Sequence, residues 1–266
     1  MVEIVLGPSR RFLENSWIIF CALFRWFTPQ SYLVNKLVFP FLQLAVFSLL
    51  GRHAGGPAAA SYLVIGNCIV LASLGSLAVA GSISEERAAT TLPILLGTPV
   101  NRLANLLQRG VVPALDSLFT VMVAVLFATL VFGVDLAGTD PVAFTASVLA
   151  AVIASMALGF LLGVVTLAWL DLYFVWNSFY LLLLIVAGIN IPPDQLPGPL
   201  AWLHHIVPFS HAVSAARDAV AGAGLGQVAG ALLGELAVAA SYLLAGYLLL
   251  RRMETVAIRR GTLEMT

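Results

Sequence analysis

Apolar residues gather along this chain into six long runs, separated by shorter stretches rich in polar residues, glycine or proline. A helix needs about 20 apolar residues to cross the hydrocarbon core of a bilayer, and each run has about that length. The pattern therefore predicts six membrane-spanning helices, over residues 32–50, 59–81, 110–134, 142–166, 172–191 and 226–250. Hydrophobic residues make up 61% of the sequence and charged residues 10%, against about a quarter charged in a soluble domain. We expect an all-α polytopic membrane protein.

The first 30 residues have a different pattern. Charged and polar residues between Ser9 and Phe27 fall on one side of a helix, and aromatic and aliphatic residues fill the rest. Such a helix lies in the membrane interface. A shortened first span is the alternative, but the charges interrupt any apolar run long enough to cross. We predict an amphipathic interfacial helix over 1–30 and a membrane domain over 31–266.

The basic residues indicate an orientation. Of thirteen lysines and arginines, only Arg52 and Arg217 lie away from the termini, the stretch 84–109 and the span ends that adjoin them. Lysine and arginine accumulate on the cytoplasmic side of membrane proteins. We therefore expect a multi-pass protein of the cell membrane with both termini, including a tail over 251–266, in the cytoplasm.

Residues 84–102 form the one long polar interruption between the spans, and this orientation places them in the cytoplasm. Thr91 can cap a short helix whose first turn tolerates Pro93, and Gly97 and Pro99 end it. The apolar side chains of such a helix have no core of their own in this loop. They need either the lipid surface or a soluble partner to pack against.

A second unusual segment, 192–225, precedes the last span. It carries five prolines among apolar residues, so it is too polar to span and too apolar for a free loop. Broken, half-inserted helices on the outer side fit this composition, provided that protein buries their backbone polar groups.

Small residues recur at every fourth position in two of the spans. Such stripes allow helix backbones to approach closely, and we favour packing within the chain over a dimer face. The stripes are Ser147, Ala151, Ser155, Gly159 and Gly163 in the fourth span, and Gly222, Gly226, Gly230 and Gly234 leading into the sixth.

Two acidic residues, Asp116 and Glu235, lie inside predicted spans. An acid in mid-membrane costs about 2.5–3.5 kcal/mol and therefore needs a partner or a water-filled cavity. Asp116 is near the cytoplasmic end of its predicted span, so its side chain can reach out of the membrane. Glu235 is deeper, and it lines a pathway, pairs across helices, or packs through a hydrogen bond to a neighbouring serine or tyrosine.

Motifs for several chemistries are missing from the sequence. Its one lysine, Lys36, does not follow a glycine-rich phosphate loop, and there is no zinc-protease pair or nucleophile elbow. His204, His205 and His211 cluster in the outer segment, but adjacent histidines point to different helix faces, which disfavours a metal or haem site. We expect no enzymatic activity, cofactor or metal in the chain itself and no nucleic-acid partner.

The stretch 84–102 resembles the loop after the second span of ABC-2 type permeases, whose pattern is Glu-Arg-x-x-Gly-Thr-Leu-Glu-x-Leu-Leu-x-Thr-Pro. The chain departs from it at Thr90 and Pro93. Segment 192–225 resembles the family as well, through Leu196-Pro197, Trp202-Leu203 and Arg217, but Val207 stands where the family has an asparagine, so that cap is missing. The positions that match in the first stretch are Glu86, Arg87, Thr91, Leu92, Leu95, Leu96, Thr98 and Pro99.

The resemblance implies the membrane subunit of an ATP-driven exporter. Two copies, or one copy with a related chain, would pair in the lipid with two cytoplasmic ATP-binding cassette subunits, and the loop 84–109 would transmit their motion. The substrate would be an amphiphilic drug, lipid or lipid-linked glycan. The residues implied in ATPase coupling are Glu85, Glu86, Arg87, Thr91, Leu92, Leu95, Leu96, Thr98 and Pro99.

An ATP-independent membrane protein, either a secondary transporter or an assembly scaffold, is the alternative. A proton- or sodium-coupled carrier would show ionisable residues near mid-span or paired inverted repeats. Glu235 is the residue that best fits this alternative.

Overall fold

A computed structural model describes residues 28–88, 102–168 and 171–260, together with the single residues Glu14, Ser16 and Ile18. The described chain is built of helices joined by short turns, with 3₁₀ turns at Leu71–Ser73 and Pro193–Gln195. The α-helices are α1 (Pro29–Val70), α2 (Leu74–Ala88), α3 (Arg102–Leu130), α4 (Pro141–Ala168), α5 (Leu172–Val186), α6 (Gly198–His204), α7 (Ser210–Val220) and α8 (Leu225–Arg260).

Four helical runs in the described residues are long and apolar enough to cross a membrane. They are Gln30–Ser84, Gln108–Leu130, Pro141–Leu167 and Leu225–Met253, and the apolar helix Leu172–Val186 is shorter. The expectation of an all-α polytopic membrane protein is confirmed. The predicted interfacial helix over 1–30 lies almost entirely outside the described residues, so it remains a prediction.

The first apolar run, Gln30–Ser84, is a hairpin. A straight helix of its 55 residues would be about 80 Å long, far more than the bilayer core of about 30 Å. The helical conformation breaks at Gly55 and at Gly56, where φ is +78°. A Cβ added to Gly51 would lie 2.5 Å from the Cα of Ala60, which is possible only if the chain folds back. We call residues before the break the first arm of α1 and those after it the second arm.

With both arms counted, the described residues contain six apolar helical segments, as the sequence predicts. Their ends differ from the prediction in several places. Helix α3 covers Arg102–Leu130 instead of 110–134, and α8 continues to Arg260 instead of ending at residue 250. The second crossing continues beyond residue 81 to Ala88, so the start of the predicted loop belongs to α2. The fifth ends at Val186 instead of residue 191, because the chain turns at Gly188, whose φ is +73°.

The connections lie at two ends of the bundle. The Gly55 end holds the α1 turn, the loop 131–140 and the segment 187–224: Arg52 donates a hydrogen bond to the carbonyl of Phe132 at 2.9 Å, and the Asp140 amide donates to the carbonyl of Ala219 at 3.0 Å. The Ser84 end holds the end of α2 and the start of α3. Segment 192–225, which lies at the Gly55 end, contains a 3₁₀ turn, α6 and α7.

Within the core, α4 packs closely against α2 and the 3₁₀ turn that precedes it. A Cβ at Gly159 would lie 2.6 Å from the carbonyl oxygen of Ser76, and one at Gly163 would lie 2.7 Å from the side chain of Ile83. Ser155 donates a hydrogen bond to the carbonyl of Ala72 at 2.7 Å. The prediction that the stripe of the fourth span packs within the chain is confirmed.

The same prediction is wrong for half of the second stripe. A Cβ at Gly226 or Gly230 would meet nothing within 4 Å, whereas one at Gly222 would lie 3.3 Å from the carbonyl oxygen of Gly138 and one at Gly234 would lie 3.3 Å from the ring of His211. The reason is that α8 lies at the edge of the bundle, with 28% of its most apolar stretch buried against 67% for α4.

Candidate functional site

The loop predicted to couple to an ATPase is anchored at its base. The backbone of Glu85, Glu86 and Arg87 forms the last turn of α2. Arg109, near the start of α3, donates a hydrogen bond at 3.0 Å to the carbonyl of Ser82, so the helices on either side of the loop are tied together. The other predicted coupling residues lie outside the described residues: Thr91, Leu92, Leu95, Leu96, Thr98 and Pro99.

Asp116 makes an ion pair inside the bundle. Its Oδ2 lies 2.5 Å from Nζ of Lys36 on the first arm of α1, and the Tyr32 hydroxyl donates to its Oδ1. Lys36 also donates to Thr120 at 2.6 Å and is buried. The side chain thus meets its electrostatic partner on a neighbouring helix, whereas the sequence suggested that it simply reaches toward water.

Glu235 is fully buried, and its carboxylate accepts three backbone hydrogen bonds. The amide of Phe209 donates to Oε1 at 2.6 Å, and the amides of His211 and Ala212 donate to Oε2 at 3.0 Å each. These are orphan donors at the start of α7, which its own N-cap residue, Phe209, does not satisfy with a side chain. A residue of the last span therefore caps α7, and the partners are backbone amides instead of the expected serine or tyrosine.

Arg217, near the other end of α7, binds three carbonyl oxygens. Its guanidinium donates to Gly188 and Ile189 at 2.8 Å each and to Tyr62 at 3.1 Å, and it lies 3.5 Å from the centre of the Tyr62 ring. A Cβ at Gly66 would lie 2.5 Å from Nη2 of Arg217, so glycine is needed there for this approach. Arg217 ties α7 to the second arm of α1 and to the chain that follows α5.

A polar network in the apolar core was missed by the sequence analysis. Asn67 is fully buried. Its Oδ1 accepts from Gln43 at 2.9 Å, and its Nδ2 donates to Asn190 at 2.8 Å. The network joins both arms of α1 to the turn after α5. A lone asparagine in an apolar run was the available signal, since a buried amide needs partners.

The three histidines of segment 192–225 do come together. Their ring centres are 5.6–6.5 Å apart. His204 Nδ1 lies 2.9 Å from the carbonyl oxygen of Val186, and burial lowers the pKa of His204, so the neutral ring is favoured and donates there. No group of three or more histidine, cysteine or acidic residues in the described ranges is placed to hold a metal ion.

A family model described as ABC-2 type transporter matches residues 17–221, which is more than three quarters of the chain. The matched region contains both arms of α1, the anchored loop and α7, and it ends before α8. No curated protein matches the chain.

Proposed function

The chain belongs to the ABC-2 type transporter family and is a membrane permease subunit of an ABC transporter; on that premise we propose that it exports an amphiphilic substrate with energy from separate ATPase subunits. The substrate would be a drug, a lipid or a lipid-linked glycan, moved from the cytoplasm or the inner leaflet. Two cytoplasmic ATP-binding cassette subunits would serve a pair of permeases, formed by two copies of this chain or by one copy with a related chain.

The sequence supports the proposal that the energy for transport comes from a separate subunit. A phosphate loop needs a lysine after its glycine-rich turn. The one lysine in the sequence is Lys36, and the structure pairs it with Asp116 inside the bundle. ATP hydrolysis would therefore take place in the partner subunits.

The observation that carries the proposal is the continuity between the anchored loop and the core. Helix α2 runs from the bundle to Ala88, and its contact with α4 at Gly159 leaves no room even for a methyl group. Close-packed interiors transmit displacement because they have low compressibility. Arg109 fixes the other side of the loop to Ser82. A force on the loop 84–109 would thus move α2 and α4 as one body.

The ATP-independent alternative has less support. A coupled carrier needs an ionisable group that can bind its ion in mid-membrane. Asp116 is paired with Lys36, and both carboxylate oxygens of Glu235 accept backbone hydrogen bonds. Neither carboxylate is placed to receive a coupling ion.

The test of the proposed function is Leu95→Asp, a change in the apolar cluster of the predicted loop helix. If this cluster docks on an ATPase subunit, an unpaired carboxylate buried in the contact should weaken binding by about 2 kcal/mol or more. The measurement is co-purification of the ATPase subunit with the permease at matched membrane levels, together with ATP hydrolysis by the complex.

The control is Ala137→Asp, which adds the same carboxylate to an exposed position in a loop at the Gly55 end. We expect loss of the ATPase subunit with Leu95→Asp and its retention with Ala137→Asp. Retention of the subunit in both variants, with unchanged hydrolysis, would remove the loop from its coupling role.

A further inference from the structure

Helix α7 is held at both ends by charged side chains. At its start, the carboxylate of Glu235 on α8 accepts the amides of Phe209, His211 and Ala212. Near its end, its own Arg217 binds the carbonyls of Gly188, Ile189 and Tyr62. The two contacts involve elements that are distant in the sequence: α8, the second arm of α1 and the chain after α5.

The start of α7 depends on this cap more than an ordinary helix does. Phe209 is fully buried and has a φ of 74°. Residues other than glycine rarely adopt this left-handed conformation. Such a backbone persists only when its surroundings hold it there. Inside an apolar bundle, water is not available to replace a lost acceptor.

The middle of α7 is tightly packed against its neighbours. Ala212, Ala215, Ala216 and Ala219 are all fully buried, and the helix packs against α1, α4 and α8. With methyl groups as its contacts, α7 lies close to the backbones of its neighbours, so a displacement at one end is passed to the other.

We infer that α7 is a strut that holds α8, α1 and the end of α5 in one arrangement at the Gly55 end, and that Glu235 and Arg217 are its positioning residues. Passage of substrate at that end requires the strut to move as a unit. This consequence for transport rests on the proposed function, whereas the strut itself does not.

The first experiment measures the strut without any transport. Single cysteines replace Ala212 or Ala219, at the two ends of α7, in a chain whose Cys21 and Cys68 have been changed to serine. The rate of reaction with a small maleimide is then compared between the parent and Glu235→Gln, which keeps the shape of the side chain but removes its charge and replaces one acceptor oxygen with a donor.

We expect Glu235→Gln to raise the labelling rate at least tenfold at both positions, because a rigid helix released at one end moves as a whole. The control is Leu233→Gln, which places the same amide on an exposed face of α8 and should leave both rates unchanged. An increase confined to position 212 would show that Glu235 caps only the start of α7 and would contradict a rigid strut. No increase at either position would overturn the inference altogether.

Arg217→Lys tests the other end and also covers the case in which Glu235→Gln does not insert. Lysine keeps the charge, but its donors all lie on one nitrogen, whereas Arg217 reaches Gly188 through Nη1 and Tyr62 and Ile189 through Nη2. The same tenfold rise at both cysteines is expected, and a rise at position 219 alone would contradict a rigid strut.

The second experiment adds the ATPase subunit with ATP and vanadate. In the parent, we expect labelling at position 219 to change when the nucleotide is trapped, and in Glu235→Gln we expect it to be high and insensitive to nucleotide. A parent that does not respond to nucleotide would count against the proposed ATP coupling and leave the strut standing. A Glu235→Gln chain that responds as the parent does would count against the strut.

Discussion

At the scale of single residues, the bundle accommodates two carboxylates by two different means. Asp116 meets a lysine on another helix, whereas Glu235 accepts three backbone amides. Both arrangements offset the cost of an acid in the membrane, about 2.5–3.5 kcal/mol. They differ in what a substitution leaves behind: loss of Asp116 strands a charged side chain, and loss of Glu235 strands amides at a helix start.

The ion pair can be tested by removing one partner and then both. Asp116→Ala leaves Lys36 buried without its counter-charge, and we expect a loss of stability of about 3 kcal/mol. The double variant Lys36→Met with Asp116→Leu should recover most of that loss, because the uncompensated charge is gone. The measurement is the unfolding temperature of the purified protein in one detergent. A double variant no more stable than Asp116→Ala would show that packing, and not the stranded charge, sets the cost.

At the scale of helices, small residues have two different meanings in this chain. In α4 they allow contact with α2 at backbone distance, while in the first turns of α8 they face open space. Spacing alone does not separate these cases, because it identifies a face of a helix and not what lies against that face.

A pair of matched substitutions should therefore have opposite signs. Gly159→Ala adds a methyl group 2.6 Å from the Ser76 carbonyl, and overpacking of this kind costs about 1–3 kcal/mol. Gly230→Ala meets no neighbour and gains about 1 kcal/mol of helix propensity. Unfolding temperatures of the two variants in detergent decide the matter, and a Gly159→Ala chain as stable as Gly230→Ala would show that α2 and α4 can separate without cost.

The six apolar segments could be predicted because each apolar run in the sequence is about as long as a helix that crosses a membrane. The end of the fifth could not, because the turn at Gly188 is held by Arg217, far along the chain. The cap of α7 could not be predicted either. The partners of Glu235 are backbone amides, which every residue except proline has, so no particular residue type in the sequence marks them. The sequence did point to Glu235 as a buried acid in need of a partner, and only the fold shows which groups it meets.

At the scale of the whole molecule, the two ends of the bundle differ in construction. The Gly55 end is made of tight turns and the pinned segment 187–224, whereas the Ser84 end leads into the polar loop. From the distribution of basic residues we propose that the Ser84 end faces the cytoplasm, and a transporter of this orientation would receive its partner there.

Cysteine labelling in intact cells tests this orientation. With Cys21 and Cys68 replaced, a cysteine at Gln195 should react with a membrane-impermeant maleimide from outside, and one at Thr90 should react only after the cells are opened. Gly138→Cys, in the loop beside α7, serves as a second marker of the Gly55 end and should follow Gln195. Reaction of the Thr90 position from outside would reverse the assigned orientation.

The cap of α7 also has a consequence for the way the protein is made. A ribosome completes α7 before it reaches Glu235, so during synthesis the start of α7 waits for an acceptor that has not yet been translated. We therefore expect the Gly55 end to reach its final arrangement only after α8 has been made. A nascent chain halted before α8 would leave the amides of Phe209, His211 and Ala212 without this acceptor.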